Sequence, residues 1–162
     1  MRSEMPTIID GNNLIGSSPD ISLDDPNARK KILHLVRKYQ ETTNSNLIIV
    51  FDGGPEPTLQ TENSRVKVSV VFPGLGSSAD DEIKKILDGY SDFKSVILVS
   101  SDRDLKSFAK NRGAKAINSI EFYFELKRVY RLNGAKEEKL KRIHSKLSEQ
   151  EVDQWLKIFN TD

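Results

Sequence analysis

The sequence predicts an α/β fold with a mainly parallel central sheet. Short β-branched runs (TIID at 7–10, LIIVFD at 47–52, VILV at 96–99) alternate with stretches whose apolar residues recur at helical spacing. Two of those runs are apolar without interruption, as strands covered on both faces are. The chain has 162 residues and 36% apolar content, which suits one domain over 1–162 with its own core. No internal repeat or long linker divides it.

In chain order, Thr7 to Asp10 reads as a first strand ending in a turn at Gly11-Asn12, followed by a polar loop, SSPDISLDD. Asp25 then Pro26 reads as a helix cap with proline at the first helical position. Ile32, Leu35, Val36 and Tyr39 supply that helix with a core stripe. Leu47 to Asp52 is the next strand. Val66 to Phe72 begins by alternating, which places it nearer a sheet edge. Ser78 opens a helix with Ile83, Ile86, Leu87 and Tyr90 on one face. Val96 to Val99 is a buried strand. Leu105, Phe108 and Ala109 mark a helix that stops at Gly113, and Ala114 to Ile117 is a short strand. Phe122, Leu126, Val129 and Tyr130 complete a core over 5–132. Residues 133–147 read as a basic connector. Ser148 and Glu151 form a capping box for a C-terminal packing helix over 148–160, with Trp155 on its apolar face.

Net charge is uninformative, with 25 basic and 24 acidic residues. Its distribution is not. Residues 110–147 hold eleven basic and four acidic residues, whereas 1–109 are net acidic. The absence of cysteine excludes disulfides, thiol catalysis and Cys-based zinc sites, and fits a reducing compartment such as the cytoplasm. No apolar run is long enough to span a membrane, and MRSEMPTIID lacks a signal-peptide core. The two histidines have no triad or zinc pattern, and no P-loop is present.

The apolar runs end in acids. TIID ends at Asp10, LIIVFD at Asp52, and VILVSSD at Asp102, with Asp104 two residues on. Strand ends and the helix starts that follow them share one rim of a parallel sheet, so Asp80 and Asp81 belong there too. Singly, each acid has a structural explanation. Asp10-Gly11 and Asp52-Gly53 are turn pairs, Asp81 is the third helical residue after a Ser78 cap, and Asp104 stands likewise to Ser101. Together they repel unless a cation sits among them. The only basic residue at a strand end is Arg103. A hard divalent ion, Mg²⁺ or Mn²⁺, is the expected partner for such oxygen ligands. Asn12, Asn13, Ser100 and Ser101 flank the acids as hydrogen-bonding supports or phosphate contacts. Lys127, Arg128 and Arg131 share a helix with Tyr123 and Tyr130, a combination suited to single-stranded nucleic acid.

Five segments, IIDGNNLI (8–15), VFDGG (50–54), SADDEI (78–83), VSSDRDL (99–105) and LSEQEVDQWLKIF (147–159), resemble the YacP-like NYN domain family, a branch of the PIN-like nucleases. The resemblance implies a PIN-like three-layer α/β/α sandwich and metal-dependent endoribonuclease activity. It places the acidic site on Asp10, on Asp80 or Asp81, and on Asp102, with Asp104 and Asp52 as outer or second-metal positions. Asn13 would orient the first carboxylate and Ser101 the third. The RNA strand would lie along Lys127, Arg128, Arg131, Lys136, Lys139 and Arg142, with Arg103 near the site. The loop at 16–25 departs from the family in holding few basic residues. Some relatives act with the ribosome, so RNA and the ribosome are the implied partners. Three rivals remain: a non-catalytic RNA-binding module, a toxin-type PIN-like nuclease, and a metal-dependent phosphatase for a small substrate.

Overall fold

The structure, a computed structural model, describes residues 5–59, 68–146 and 157–158. Among them are five strands: β1 (Pro6–Asp10), β2 (Asn46–Val50), β3 (Val68–Val71), β4 (Ile97–Val99) and β5 (Lys115–Ile117). All pair in parallel, in the order β3-β2-β1-β4-β5. Ile8 of β1 lies opposite Ile48 on one side and Leu98 on the other. Every residue of β1 is buried, as a central strand requires. The expected edge position of the 66–72 run is confirmed for its described part, β3.

Five helices among the described residues cover the sheet: α1 (Gly11–Ser17), α2 (Ala28–Thr43), α3 (Ala79–Asp88), α4 (Arg103–Asn111) and α5 (Ser119–Lys146). Leu14 and Ile15 of α1, Ile32, Leu33 and Val36 of α2, and Phe122, Tyr123 and Leu126 of α5 pack on Ile9, Leu47, Ile49 and Val99. Ile83 and Leu87 of α3, with Leu105 and Ala109 of α4, pack on Ile8, Val50 and Leu98 on the opposite face. The result is the three-layer α/β/α sandwich.

Several local expectations change. The turn expected at Gly11-Asn12 is the first turn of α1. Burying Leu14 and Ile15 contributes about 1.5–3 kcal/mol each, which favours the helix over an open turn. Gly11 permits this start, because a Cβ there would stand 2.6 Å from the Phe51 ring. The second helix begins at Ala28, two residues after Pro26. Asp25 instead closes a turn, accepting the Asn27 N–H at 2.8 Å. The helix expected to be capped by Ser101 is capped by Asp102, whose carboxylate accepts the Leu105 N–H at 3.0 Å. The basic connector at 133–147 is not a loop through Lys146 but the outer half of α5. Gly134 costs such a helix only about 1 kcal/mol, and its charged side chains stay solvated. Residues 66–67, Ser148, Glu151 and Trp155 lie outside the described residues, as does most of the 148–160 segment expected to form a C-terminal helix.

The connections from β1 lead to β2 and β3 on one side, and the chain then crosses to β4 and β5 on the other. Strand order therefore reverses between β1 and β4. A parallel sheet leaves a crevice at the carboxyl ends of such strands.

Candidate active site

Asp10 ends β1 and Asp102 follows β4, one on each side of that crevice. Ser100 joins them. Its hydroxyl donates to Asp10 Oδ2 at 3.0 Å and accepts the Asp102 N–H at 3.1 Å. Asp80 enters from the first turn of α3, whose start is fixed by Ser78 accepting the Asp81 N–H at 3.2 Å.

The three carboxylates share one electrostatic environment. The pKa of Asp10, which is only 6% exposed, is raised from 3.8 to about 6. Burial is the main cause, the Ser100 and Asn13 hydrogen bonds oppose it, and the charges of Asp80 and Asp102 add to it. Asp80 is also raised, first by burial and then by Asp102; Lys84 opposes the rise, and Asp52 and Asp81 add smaller contributions to it. Among the described residues, none of Asp10, Asp80 and Asp102 forms an ion pair.

The donor set suits a hard cation in chemistry: all oxygen and negatively charged, with Lys84 acting on Asp80 without pairing to it among the described residues. It is not a closed cage. Among the described residues, no three acids stand together as a ready ligand group. The fit is therefore to an ion held by one or two carboxylates that keeps much of its water, as Mg²⁺ commonly is.

The remaining acids are peripheral. Asp52 is exposed beyond β2, where Oδ1 accepts the Ala79 N–H at 3.3 Å and its own N–H donates to Asn12 at 2.9 Å. It thereby ties the β2 loop to the start of α3. Asp81 is exposed on α3, and Asp104 is exposed in the first turn of α4.

The supporting residues divide the work differently from the sequence expectation. Asn13 touches Asp10 through its backbone N–H, while its side chain reaches elsewhere. Its Oδ1 accepts the Ser101 N–H at 2.8 Å and the Ser119 hydroxyl at 2.6 Å. Ser101, expected to orient the third carboxylate, instead accepts the Ser119 N–H at 3.1 Å. Ser100 is the serine that meets the acids.

Two residues escaped the sequence reading. Ser119 is fully buried at the start of α5 and locks that helix to the rim. A serine opening a helix was the available signal. Arg29 lies near the Phe51 and Phe72 rings, 5.4 Å from each centroid. It donates to the carbonyls of Asp52 and Gly54 and pairs with Glu56 at 2.8 Å. It holds the loop after β2, and nothing local in the sequence announces it.

The basic residues form a stripe and a few outliers. At 100° per residue, Arg128, Arg131, Lys139 and Arg142 fall within an arc of ~80° on α5. All four are exposed. Lys136 is exposed to one side of the stripe, and Arg103 is exposed at the start of α4. Arg128 pairs with Glu125 at 2.5 Å, and Lys127 pairs with Asp20 at 3.2 Å.

The chain matches the YacP-like NYN domain over residues 7–160. It is 25% identical over 129 residues to the uncharacterized protein YacP of Bacillus subtilis strain 168, covering 76% of each. Its fold is similar to the crystal structure of Rae1 (YacP) from Bacillus subtilis, with a TM-score of 0.72, 22% identity, and coverage of 94% of this chain and 91% of that one. A mutant of the same protein gives a TM-score of 0.68 at 24% identity, with 91% and 89% covered. The family match runs from β1 past α5 and includes Asp10, Asp80 and Asp102: the chain belongs to the YacP-like NYN domain family.

Proposed function

We propose that this protein is a Mg²⁺- or Mn²⁺-dependent endoribonuclease. One observation supports this above others: three carboxylates without ion-pair partners among the described residues influence one another at the switch point of a parallel sheet. Membership in a family of PIN-like nucleases agrees with it.

Asp10, joined by Asp80 or Asp102, would hold the ion together with its waters, with the other acid of the three nearby and Asp52, Asp81 and Asp104 acting at the margin. When bound, the ion supplies an activated water and neutralises charge at the phosphate being cleaved. Ser100 fixes the Asp10 carboxylate and the backbone of Asp102. Asn13 and Ser101 hold α5 at the rim through Ser119. The cationic stripe of α5 binds the RNA backbone without reading sequence. No helix among the described residues is long and apolar enough to cross a membrane. The cytoplasm is the proposed compartment, and a ribosome-bound message is one proposed substrate.

The test is cleavage of labelled single-stranded and structured RNA with Mn²⁺. Wild type should cleave, and Asp10→Asn and Asp102→Asn should each lose more than ~100-fold, beyond the usual cost of losing an outer support. Equal cleavage by all three would mean a contaminant and remove the proposal. A second reading, an RNA-binding module without catalysis, is favoured by the lack of a preformed three-acid cage among the described residues. It predicts RNA binding that persists in EDTA and no cleavage with any metal.

A further inference from the structure

A groove of about 500 Å³ lies between the loop after α1, the early turns of α2 and the inner side of α5. Lys30, Lys31 and His34 line it from α2, and Lys127 and Tyr130 from α5. The exposed Tyr130 ring meets His34 edge to face, 5.7 Å between centroids. Asp20 reaches in from the loop, accepts from the buried Tyr123 hydroxyl and pairs with Lys127 at 3.2 Å. Lys31 pairs with Asp25, whereas Lys30 makes no ion pair among the described residues.

Three ammonium groups beside two exposed rings match the two halves of a nucleotide, its phosphate and its base. A purely apolar ligand would leave the lysines unused, and a bare phosphate would leave the rings unused. The groove also adjoins the rim. Tyr123 is one helical turn from Ser119, which is hydrogen-bonded to Asn13 near Asp10. A strand that crosses the acids can continue into it. Asp20 supports the same reading, because its carboxylate already occupies an anion's place on Lys127.

We propose that this groove takes one nucleotide of the RNA strand beyond the cleaved bond. The phosphate replaces the Asp20 carboxylate on Lys127, and the base lies against Tyr130 and His34. The inference rests on the RNA reading above and adds a subsite with a built-in competitor.

The experiment uses the full chain bearing Asp102→Asn, so that RNA binds without being cut. Affinity for a labelled single-stranded oligonucleotide is measured by anisotropy over a salt series, and the His34 ring protons are followed by NMR. Asp20→Asn should tighten binding about threefold. Lys30→Glu should weaken it about fivefold and lower the salt slope by about 1. RNA should shift the His34 resonances in the protein with its groove intact, so this readout needs no groove variant. Unchanged affinities together with an unmoved His34 overturn the subsite while wild-type cleavage still upholds the nuclease. Heparin moving His34 as far as RNA does would overturn nucleotide recognition. No RNA binding by any form overturns both proposals.

Discussion

Asp10, at the crevice between β1 and β4, is almost fully buried, while the cations along α5 from Arg128 to Arg142 stand in solvent. Both regions are charged, and their physics differs. At the rim, burial and like charge raise the Asp10 and Asp80 pKa values, and hydrogen bonds from Ser100 and Asn13 hold the arrangement against that cost. On α5 the charges keep their water, and Glu125 answers Arg128 locally. A costly, hydrogen-bonded cluster is what specific chemistry needs. A solvated stripe is what salt-dependent, sequence-independent grip needs. The contrast predicts that substitutions at the rim change rate and stability, whereas substitutions on the stripe change affinity alone.

The largest break in that contrast should come from Asn13→Ala. It leaves the buried Ser119 hydroxyl without its acceptor, at a cost of about 1–3 kcal/mol, and hands the exposed Ser101 N–H to water. Activity should fall about 10–100-fold, with RNA affinity nearly intact. Chemical denaturation and single-turnover cleavage measure the two effects. An equal loss in affinity and rate would merge the two regions into one functional unit.

A second prediction sharpens the rim's side. The folded Asp10 carboxyl has a pKa of about 6, above its ordinary 3.8. Between those values the folded chain keeps a proton that the unfolded chain has released. The stabilisation from that proton is full below pH ~4 and is lost as pH rises through ~6. Metal-free protein should therefore melt at lower temperature as pH climbs across that window. Asp10→Asn should flatten the fall and be more stable at pH 8 by on the order of 2 kcal/mol. A parallel pH profile for the two proteins would contradict the burial account.

The smallest effect belongs to α5. Arg131→Glu should weaken RNA binding a few-fold, lower the salt slope by about 1, and leave stability within ~0.5 kcal/mol. Anisotropy at several salt concentrations and a melting curve are sufficient. A loss of stability above that bound would mean that the exposed stripe is tied into the core.

The sheet was legible because its strands are continuous apolar runs, and burial on both faces leaves little else for LIIV or VILV to do. The acids were legible for a related reason: a parallel sheet sends every strand end, and every following helix start, to one rim. What stayed hidden depends on partners distant in sequence. α1 begins Gly-Asn-Asn, which reads as a turn, and only the packing of Leu14 and Ile15 makes it a helix. Ser101 looked like a cap, but Asp102 takes that place and Ser101 receives Ser119. Arg29 acts on a loop more than twenty residues away. The outer half of α5 looked like a connector because a solvated helix and a charged loop share the same composition.

A nuclease of this kind must bind a cation in the β1–β4 crevice. Crystals soaked in Mn²⁺ and measured at the manganese edge should show an anomalous peak beside Asp10, with Asp80 or Asp102 as a further ligand, and Asp10→Asn crystals should lose it. No peak at that rim in the wild-type protein, or a peak that survives the Asp10 substitution unchanged, would contradict it.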